Sequence, residues 1–212
     1  MAKGESIPET DAYCPLMSLP YVFGTTLESI PANIAYLTVQ PDAYERWMLR
    51  LGPRTIPRIG IVWSGSTTHK NDRQRSIHLE QLIDLFDIQA EWHCLQKEFR
   101  QEDIACLARL PQLQQHDLHL HDFHDTAALI HHLDLVISVD TSVAHVAAAT
   151  GKPVWILLPH HPDFRWLLDR DDSPWYPTVR LFRQVDAGNW TDVLQQVKLA
   201  LVARIGLDDS PK

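Results

Sequence analysis

The strongest candidate for chemistry is the segment Ser138–His145, which reads Ser-Val-Asp-Thr-Ser-Val-Ala-His. A strand-like apolar run precedes it, and an alanine-rich stretch that closes at Gly151 follows it. A strand that turns directly into a helix leaves free amide hydrogens at the helix start, and these amides together with the helix dipole attract phosphate. The segment therefore predicts a phosphate-binding turn.

Four side chains of this turn have distinct expected roles. The hydroxyls of Thr141 and Ser142 add donors beside the amides. The Asp140 carboxylate cannot hold phosphate directly, so it would accept from sugar hydroxyls or brace the loop. His145 lies about one helical turn further on and can reach a phosphate oxygen, because helical side chains lean towards the N-terminus. In the alternative interpretation, Asp140 and Thr141 only cap the helix and His145 is a partly buried structural histidine.

The loop after the first predicted strand is a second candidate, in this case for binding an anion at the sheet edge. It runs from Trp63 to Arg75 and contains Gly65, several hydroxyl and amide side chains, and the further cations Lys70 and Arg73. It lacks the second glycine and the Gly-Lys-Ser/Thr order of a P-loop, and a single glycine is not a dinucleotide fingerprint. The alternative is a solvated loop rich in turn-forming residues.

A histidine-rich run, residues 117–125, invites a metal-site interpretation. It contains His119, His121 and His124. The spacing approaches the His-x-His-x-Asp-His pattern of metallo-β-lactamase-like hydrolases, but Phe123 stands where that pattern needs an aspartate ligand. We therefore prefer a solvated face with Leu118 and Leu120 directed inward, and we predict no metal site.

The elements that must position these residues alternate along the chain from Pro57 onwards. Short apolar runs typical of buried strands are separated by amphipathic stretches with a helical period. The predicted strands cover residues 58–63, 91–96, 117–120, 135–139, 152–158 and 179–182. The predicted helices cover residues 79–86, 101–110, 125–132, 142–150 and 192–203. This alternation predicts an α/β fold with a doubly wound, Rossmann-like parallel sheet, whose ligands bind beyond the carboxyl ends of the strands.

Composition excludes several classes of protein. The 212 residues carry a formal charge of -8 with no long basic run, which argues against binding to nucleic acid. No stretch approaches 18 apolar residues and the start has no signal-peptide pattern, so neither membrane insertion nor secretion is expected and the cytoplasm is the default. Three cysteines at no metal-like spacing suit reduced thiols in a reducing compartment.

Several strings together resemble a known family. Ser138-Val-Asp-Thr-Ser-Val-Ala-His, followed by Gly-Lys-Pro-Val, is similar to the carboxyl half of glycosyltransferase family 9, the heptosyltransferase-like enzymes, which typically have Asp-Thr-Gly-x-x-His there. The strings Ile-Val-Trp-Ser-Gly, Lys-Asn-Asp-Arg and Asp-Ser-Pro-Trp-Tyr-Pro resemble the subgroup attached behind tetratricopeptide repeats in bacteria. The resemblance spans about residues 13–204.

The resemblance implies a GT-B glycosyltransferase, in which two Rossmann-like domains face each other across a cleft. Residues 57–206 would be its carboxyl, donor-binding half, which holds a nucleoside-diphosphate sugar. Residues 1–56 would be a remnant or the end of an amino-terminal GT-B domain, and residues 207–212 a polar tail. No cofactor or metal is implied, because the nucleotide-sugar is itself the donor substrate and cations with the helix start would neutralise the leaving pyrophosphate.

The resemblance also implies roles for individual residues. Asp140 would contact the sugar, the amides of Thr141 and Ser142 the pyrophosphate, and His145 a phosphate, with Ser142 replacing the family's glycine. Other residues have implied roles in substrate binding. Ser64 and Gly65 would line the cleft, Lys70 or Arg73 would contact the phosphates, Gln96 and Lys97 would lie beside the donor, and Asp122 and Phe123 would border the nucleotide base.

The implied function is metal-independent glycosyl transfer by a chain that is incomplete as it stands. An amino-terminal domain would supply the acceptor site and the catalytic base, so no catalytic residue is assigned here. The acceptor class stays open between glycan, lipid and protein, and a separate amino-terminal or tetratricopeptide-repeat chain is the expected partner. The first alternative is a non-catalytic nucleotide-sugar-binding or interaction module, and the second is a histidine-rich metal hydrolase.

Overall fold

A computed structural model describes residues 9–32 and 35–208 of the chain. Its centre is a sheet of six parallel strands: β1 (Arg58–Val62), β2 (Glu91–Cys94), β3 (Leu113–Gln115), β4 (Leu135–Val139), β5 (Val154–Leu158) and β6 (Val179–Arg183). The spatial order is β3-β2-β1-β4-β5-β6. The first strand therefore lies in the middle of the sheet, with β2 and β3 on one side of it and β4, β5 and β6 on the other. This is the doubly wound order of Rossmann-like folds, and the predicted fold class is confirmed.

Seven α-helices accompany the sheet in the described residues. They are α1 (Leu19–Val22), α2 (Pro41–Leu51), α3 (Asp72–Arg75), α4 (Gln101–Leu107), α5 (Phe123–His131), α6 (Ser142–Ala149) and α7 (Thr191–Asp208). Short 3₁₀ segments cover Leu16–Ser18, Leu27–Ser29, Leu79–Leu85, Asp117–His119 and Phe164–Trp166. Among these described residues, no helix is both long enough and apolar enough to cross a bilayer.

Both faces of the sheet are buried, as expected for parallel strands. On one face Ile61, Ile137 and Leu157 join a cluster with Trp63 and Trp92. On the other face the alternate strand residues pack with side chains of α2, α5 and α6, including Trp47, Leu129 and Ala144. The alternation with a period of two along each strand therefore divides the core into two layers.

Helix α2 belongs to this second layer although it precedes residue 57. Ala43 is fully buried and Trp47 is 3% exposed, and both lie in the cluster that includes Leu129. The division between residues 1–56 and 57–206 stays a prediction, but the helix just before that boundary packs on the sheet domain. At the other end α7 runs to Asp208, so the predicted tail 207–212 begins inside a helix and residues 209–212 lie outside the described residues.

One predicted strand and one predicted side-chain direction are wrong. Residues 117–120 are not a strand, because the amides of His119 and Leu120 both bond back to the carbonyl of His116 in a tight turn, and the third strand is Leu113–Gln115 instead. Leu120 is buried, but Leu118 is 78% exposed, so the prediction that both point inward is also wrong.

The fifth helix starts earlier than predicted. Its N-cap is Asp122, whose carboxylate accepts from the amides of His124 at 2.8 Å and Asp125 at 3.0 Å. Asp125, the predicted cap, lies in the first turn instead. Both positions carry an aspartate, so composition could not choose between them.

Candidate functional site

The strand order reverses between β1 and β4, and a cavity of about 600 Å³ opens at the carboxyl ends of the strands there. Predicted site residues that line this cavity are Ser64, Gly65, Gln96, Lys97, Asp122, Phe123, Thr141 and Ser142. Apolar side chains of Val62, Leu95, Leu120 and Val143 complete the wall. The crevice at such a topological switch point is where open α/β sheets bind ligands.

Gln96 holds two walls of the cavity together. Its Oε1 accepts from the amides of Trp63 at 3.3 Å and Ser64 at 3.2 Å, and its Nε2 donates to the Ser64 hydroxyl and to the carbonyl of Glu98. The side chain is buried and its polar atoms are already bonded. Gln96 therefore shapes the loop after β1, and the hydrogen bonds of its side-chain amide are made within the protein.

In the described part of the chain, Arg75 is one of two cationic side chains that line the cavity, the other being Lys97. Its Nη1 donates to the main-chain carbonyl of Asp140 at 2.7 Å, and its guanidinium lies against Gly65, where a Cβ atom would come within 2.7 Å of Arg75 Cζ. The Nε atom is buried without a hydrogen-bond partner among the described residues. An arginine beside free backbone amides is suited to binding phosphate oxygens.

Lys70 and Arg73 do not line this cavity. They lie around a separate hollow of about 540 Å³ that also contains Arg100. The loop turns back after α3, because the amide of Ile77 bonds to the carbonyl of Trp63 at 2.8 Å. Arg75 lies just before Ile77, so this hydrogen bond brings the Arg75 side chain to the crevice. The buried Ile77 and Leu79 after it were the signal in the sequence that could have indicated this.

The start of α6 has no side-chain cap. Its N-cap residue is Thr141, and no cap hydrogen bond from a side chain is present there. The Thr141 hydroxyl instead meets the hydroxyl of Ser138 at 3.0 Å. Thr141 is therefore the N-cap residue by position, but its side chain does not cap the helix as the alternative interpretation expected, and Thr141 and Ser142 face the cavity at an uncapped helix start.

Asp140 and His145 lie beside the cavity and do not line it. The Asp140 Oδ1 atom is 3.9 Å from His145 Nε2, and His145 Nδ1 is 3.1 Å from the hydroxyl of Tyr176. The imidazole stacks on the buried Trp166 at 5.1 Å between ring centroids. Burial lowers the pKa of His145, partly offset by the nearby Asp140 carboxylate, which favours a neutral ring.

The wall opposite α6 is formed by the start of α5. Phe123 is 57% exposed at the mouth of the cavity, while the Asp122 carboxylate caps the helix, and hydrogen bonds from the Asp125 and His124 amides lower its pKa. Lys97 Nζ donates to the carbonyl of His121 at 2.9 Å, which ties the loop after β2 to this wall. An exposed phenyl ring over an apolar wall suits a flat aromatic ligand.

The histidine-rich run does not form a metal centre in this fold. In residues 9–32 and 35–208, no group of three or more His, Cys, Asp or Glu side chains is placed to hold one ion. His119 lies in the 3₁₀ segment and His121 follows it, so the shared strand face expected for them does not exist. The geometry does not favour the hydrolase alternative.

Comparisons with known proteins identify similar sequences and structures. The family model of glycosyltransferase family 9 (heptosyltransferase) matches residues 97–187, which include the walls formed by α5 and α6. A curated relative, protein FlbA of Caulobacter vibrioides, is 28% identical over 187 residues, which are 83% of this chain and 30% of the relative. The chain thus spans less than a third of that relative's length.

Two solved structures share the fold. Escherichia coli ADP-heptose LPS heptosyltransferase II is 19% identical with a TM-score of 0.56, over 82% of this chain and 54% of that one. A glycosyl transferase of family 9 from Veillonella parvula is 14% identical with a TM-score of 0.55, over 84% and 55%. The chain therefore has the α/β fold found in about half of each of these structures, and its residues 97–187 resemble a glycosyltransferase family 9 domain.

Proposed function

We propose that this chain is the donor-binding half of a family 9-like glycosyltransferase and binds a nucleoside-diphosphate sugar in the crevice between β1 and β4. The observation that carries the proposal is that Arg75 lies beside the uncapped start of α6 at one cavity, bonded to the carbonyl of Asp140 just before that helix. Both features stabilise negative charge, and they lie close enough together to act on the same group. The family match over residues 97–187 supports the same ligand class.

The diphosphate would lie between the Arg75 guanidinium and the amides at Ser142 and Val143. In this position the guanidinium and the helix dipole stabilise the charge that develops on the leaving nucleoside diphosphate, which is the contribution a metal ion makes in other transferases. The base would lie against the apolar wall, with Phe123 over its face. The sugar would then point towards Asp140.

Glycosyl transfer itself would need groups that the described residues do not place in the cavity. The chain spans about half of the solved structures that share its fold. We propose that the acceptor site and the catalytic base come from an amino-terminal domain or a separate chain, such as one with tetratricopeptide repeats.

We also propose a reducing compartment, the cytoplasm, for this protein. The described cysteines, Cys14, Cys94 and Cys106, are all free thiols, which suits such a compartment.

Calorimetric titration with ADP- and UDP-sugars and with the free diphosphates tests the proposal. We expect at least one nucleotide-sugar and its free diphosphate to bind with a dissociation constant below 1 mM, which corresponds to a binding free energy of about 4 kcal/mol. Absence of heat with every nucleotide at millimolar concentration would overturn it.

A second candidate is a binding module without catalysis, and the observation that favours it is the half-length match to the solved structures. Donor-hydrolysis and transfer assays separate the two candidates. Turnover by the chain would exclude the inert module, whereas binding without turnover, even after addition of an amino-terminal partner, would support it.

A further inference from the structure

Four side chains beside the crevice form a series of polar contacts that passes through an imidazole and ends at a carboxylate. Tyr36 donates to the hydroxyl of Tyr176 at 3.5 Å, the Tyr176 hydroxyl meets His145 Nδ1 at 3.1 Å, and His145 Nε2 faces Asp140 Oδ1 at 3.9 Å. The four residues come from three separate parts of the chain, since Asp140 and His145 lie in the same segment. Contacts of this kind fix the rotation of a ring and the position of its proton.

The imidazole is held from its face as well as from its edges. Trp166 is fully buried and stacks on it with an interplanar angle of 21°, and Tyr176 packs on it at 5.7 Å between centroids. The side chain of His145 is nevertheless 31% exposed and that of Asp140 17%. The ring is therefore fixed in orientation, and a ligand can still reach it.

The partners select one tautomer of the neutral ring. A carboxylate only accepts hydrogen bonds, so Asp140 favours a proton on Nε2 and leaves the Nδ1 lone pair for the Tyr176 hydroxyl. Burial, together with the hydrogen bond from Tyr36, raises the pKa of Tyr176 well above its usual value, which keeps that hydroxyl protonated as a donor. Asp140, Asp163 and Arg165 are the charged groups that act on His145, and burial is the largest influence, lowering its pKa.

We propose that Tyr176 is a positioning residue that holds His145 in the Nε2–H tautomer, so that a neutral imidazole presents its N–H donor beside the turn at the start of α6. Tyr36 orients the Tyr176 hydroxyl in turn, which makes the segment before α2 part of the site. The identity of the ligand that receives this hydrogen bond, a diphosphate oxygen, rests on the proposed function. The tautomer itself does not.

Nitrogen-15 NMR of histidine-labelled full chain reads the tautomer directly, because protonated and bare ring nitrogens have well-separated shifts. His145→Gln assigns the signal among the 12 histidines. We expect the parent at pH 7.5 to show a protonated Nε2 and a bare Nδ1 at His145. Tyr176→Phe should average the two shifts, Tyr36→Phe should move them less, and Tyr21→Phe, at a 90% exposed tyrosine, should leave them unchanged.

The same variants are then titrated with ADP and UDP. Tyr176→Phe should weaken the tighter nucleotide by about 3- to 10-fold, the loss of one well-oriented neutral hydrogen bond, while its melting temperature stays close to that of Tyr21→Phe. A protonated Nδ1 in the parent overturns the proposal without any variant. So do unchanged His145 shifts in folded Tyr176→Phe. Altered shifts without binding of any nucleotide by the parent would support the positioning role and overturn the proposed function.

Discussion

The Arg75 guanidinium donates from Nη1 to the main-chain carbonyl of Asp140 at 2.7 Å. This bond joins the loop after β1 to the turn after β4, two strands that are adjacent in the sheet and separated in the chain by the 72 residues between Val62 and Leu135. The Arg75 side chain is 14% exposed, so one partly buried cation both fixes the two walls and carries positive charge at the cavity.

Replacing Arg75 should therefore weaken binding of a nucleoside diphosphate. We expect Arg75→Ala to lower affinity by about 10- to 100-fold, since a hydrogen bond to a charged group contributes about 1.5 to 3 kcal/mol. Arg75→Lys should recover part of the loss, because it keeps the charge without the fork of donors. Calorimetric titration with ADP and UDP, together with thermal melting, measures both effects.

Arg73→Ala and Lys70→Ala are the matched controls, because they remove cations of the same loop that lie around the separate hollow. Both should bind within about twofold of the parent. A larger loss in either of them than in Arg75→Ala would place the diphosphate at the loop tip, as the sequence-based assignment has it.

Gly65 controls the position of the same guanidinium. Gly65→Ala introduces a Cβ within 2.7 Å of Arg75 Cζ, so the arginine must leave its place against the loop. We expect a loss of affinity close to that of Arg75→Ala, and a double variant that loses little more, because both changes remove one interaction. Gly206→Ala, which meets no heavy atom within 4 Å, is the control. Additive losses in the double variant would contradict this coupling.

The fold could be predicted from the sequence because its signals are local. Each buried strand is a short apolar run, as in Leu135–Val139, and a glycine with positive φ closes α6 where the pattern ends at Gly151. The edge strand could not be placed, because three residues give no usable period. A helical turn from His116 to Leu120 imitates alternation there.

From the pattern of strands and helices alone, the cavity-lining residues could be predicted where they follow strand ends, whereas Asp122 and Phe123 at the start of α5 were indicated by the family resemblance. Thr141 and Ser142 come directly after β4 and do line the cavity. Arg75 was not among the assigned site residues, although its loop was, because its position depends on the long-range bond between Ile77 and Trp63. Tyr176 and Tyr36 lie 31 and 109 residues from His145, and spacing along the chain carries no information about such contacts.

A buried pair of histidines should make the protein sensitive to mild acid. His93 Nδ1 and His116 Nε2 are 3.0 Å apart in the core, and burial lowers their pKa values to about 3 and about 4. The folded chain therefore keeps both rings neutral, whereas the unfolded chain takes up protons as the pH falls below about 6.5. The contribution of the two neutral rings to the free energy of unfolding is present above that pH and is lost as the pH falls towards 4. Between pH 6.5 and pH 5 the loss is about 2 kcal/mol per histidine.

Melting temperatures at pH 7 and pH 5 test this pair. Replacing both partners, His93→Leu with His116→Leu, removes the buried polar groups together and should reduce the drop between the two pH values. Part of the drop should remain, because burial also lowers the pKa of His131 and His132. His124→Gln, at an exposed position, should show the full drop of the parent. An equal drop in the double leucine variant would show that the pair is not the source.

Trp47 connects the segment before residue 57 to the sheet domain. It is 3% exposed in the cluster with Leu129, and its ring meets the edge of His116 at 5.2 Å between centroids. Trp47→Ala should cost about 3 to 5 kcal/mol, because it removes a large buried side chain and leaves a cavity. For a chain of this length the melting temperature should fall by about 6 to 20 °C.

Leu49→Ala on the same helix is the matched control, since Leu49 is 79% exposed and alanine is at least as good a helix former. It should melt with the parent. If Trp47→Ala also melts with the parent, α2 contributes nothing to the core and residues 57–206 are the whole stable unit. A large drop for Trp47→Ala alone means that the stable sheet domain begins no later than Pro41, and that a chain shortened to residue 57 would expose the apolar surface which α2 covers.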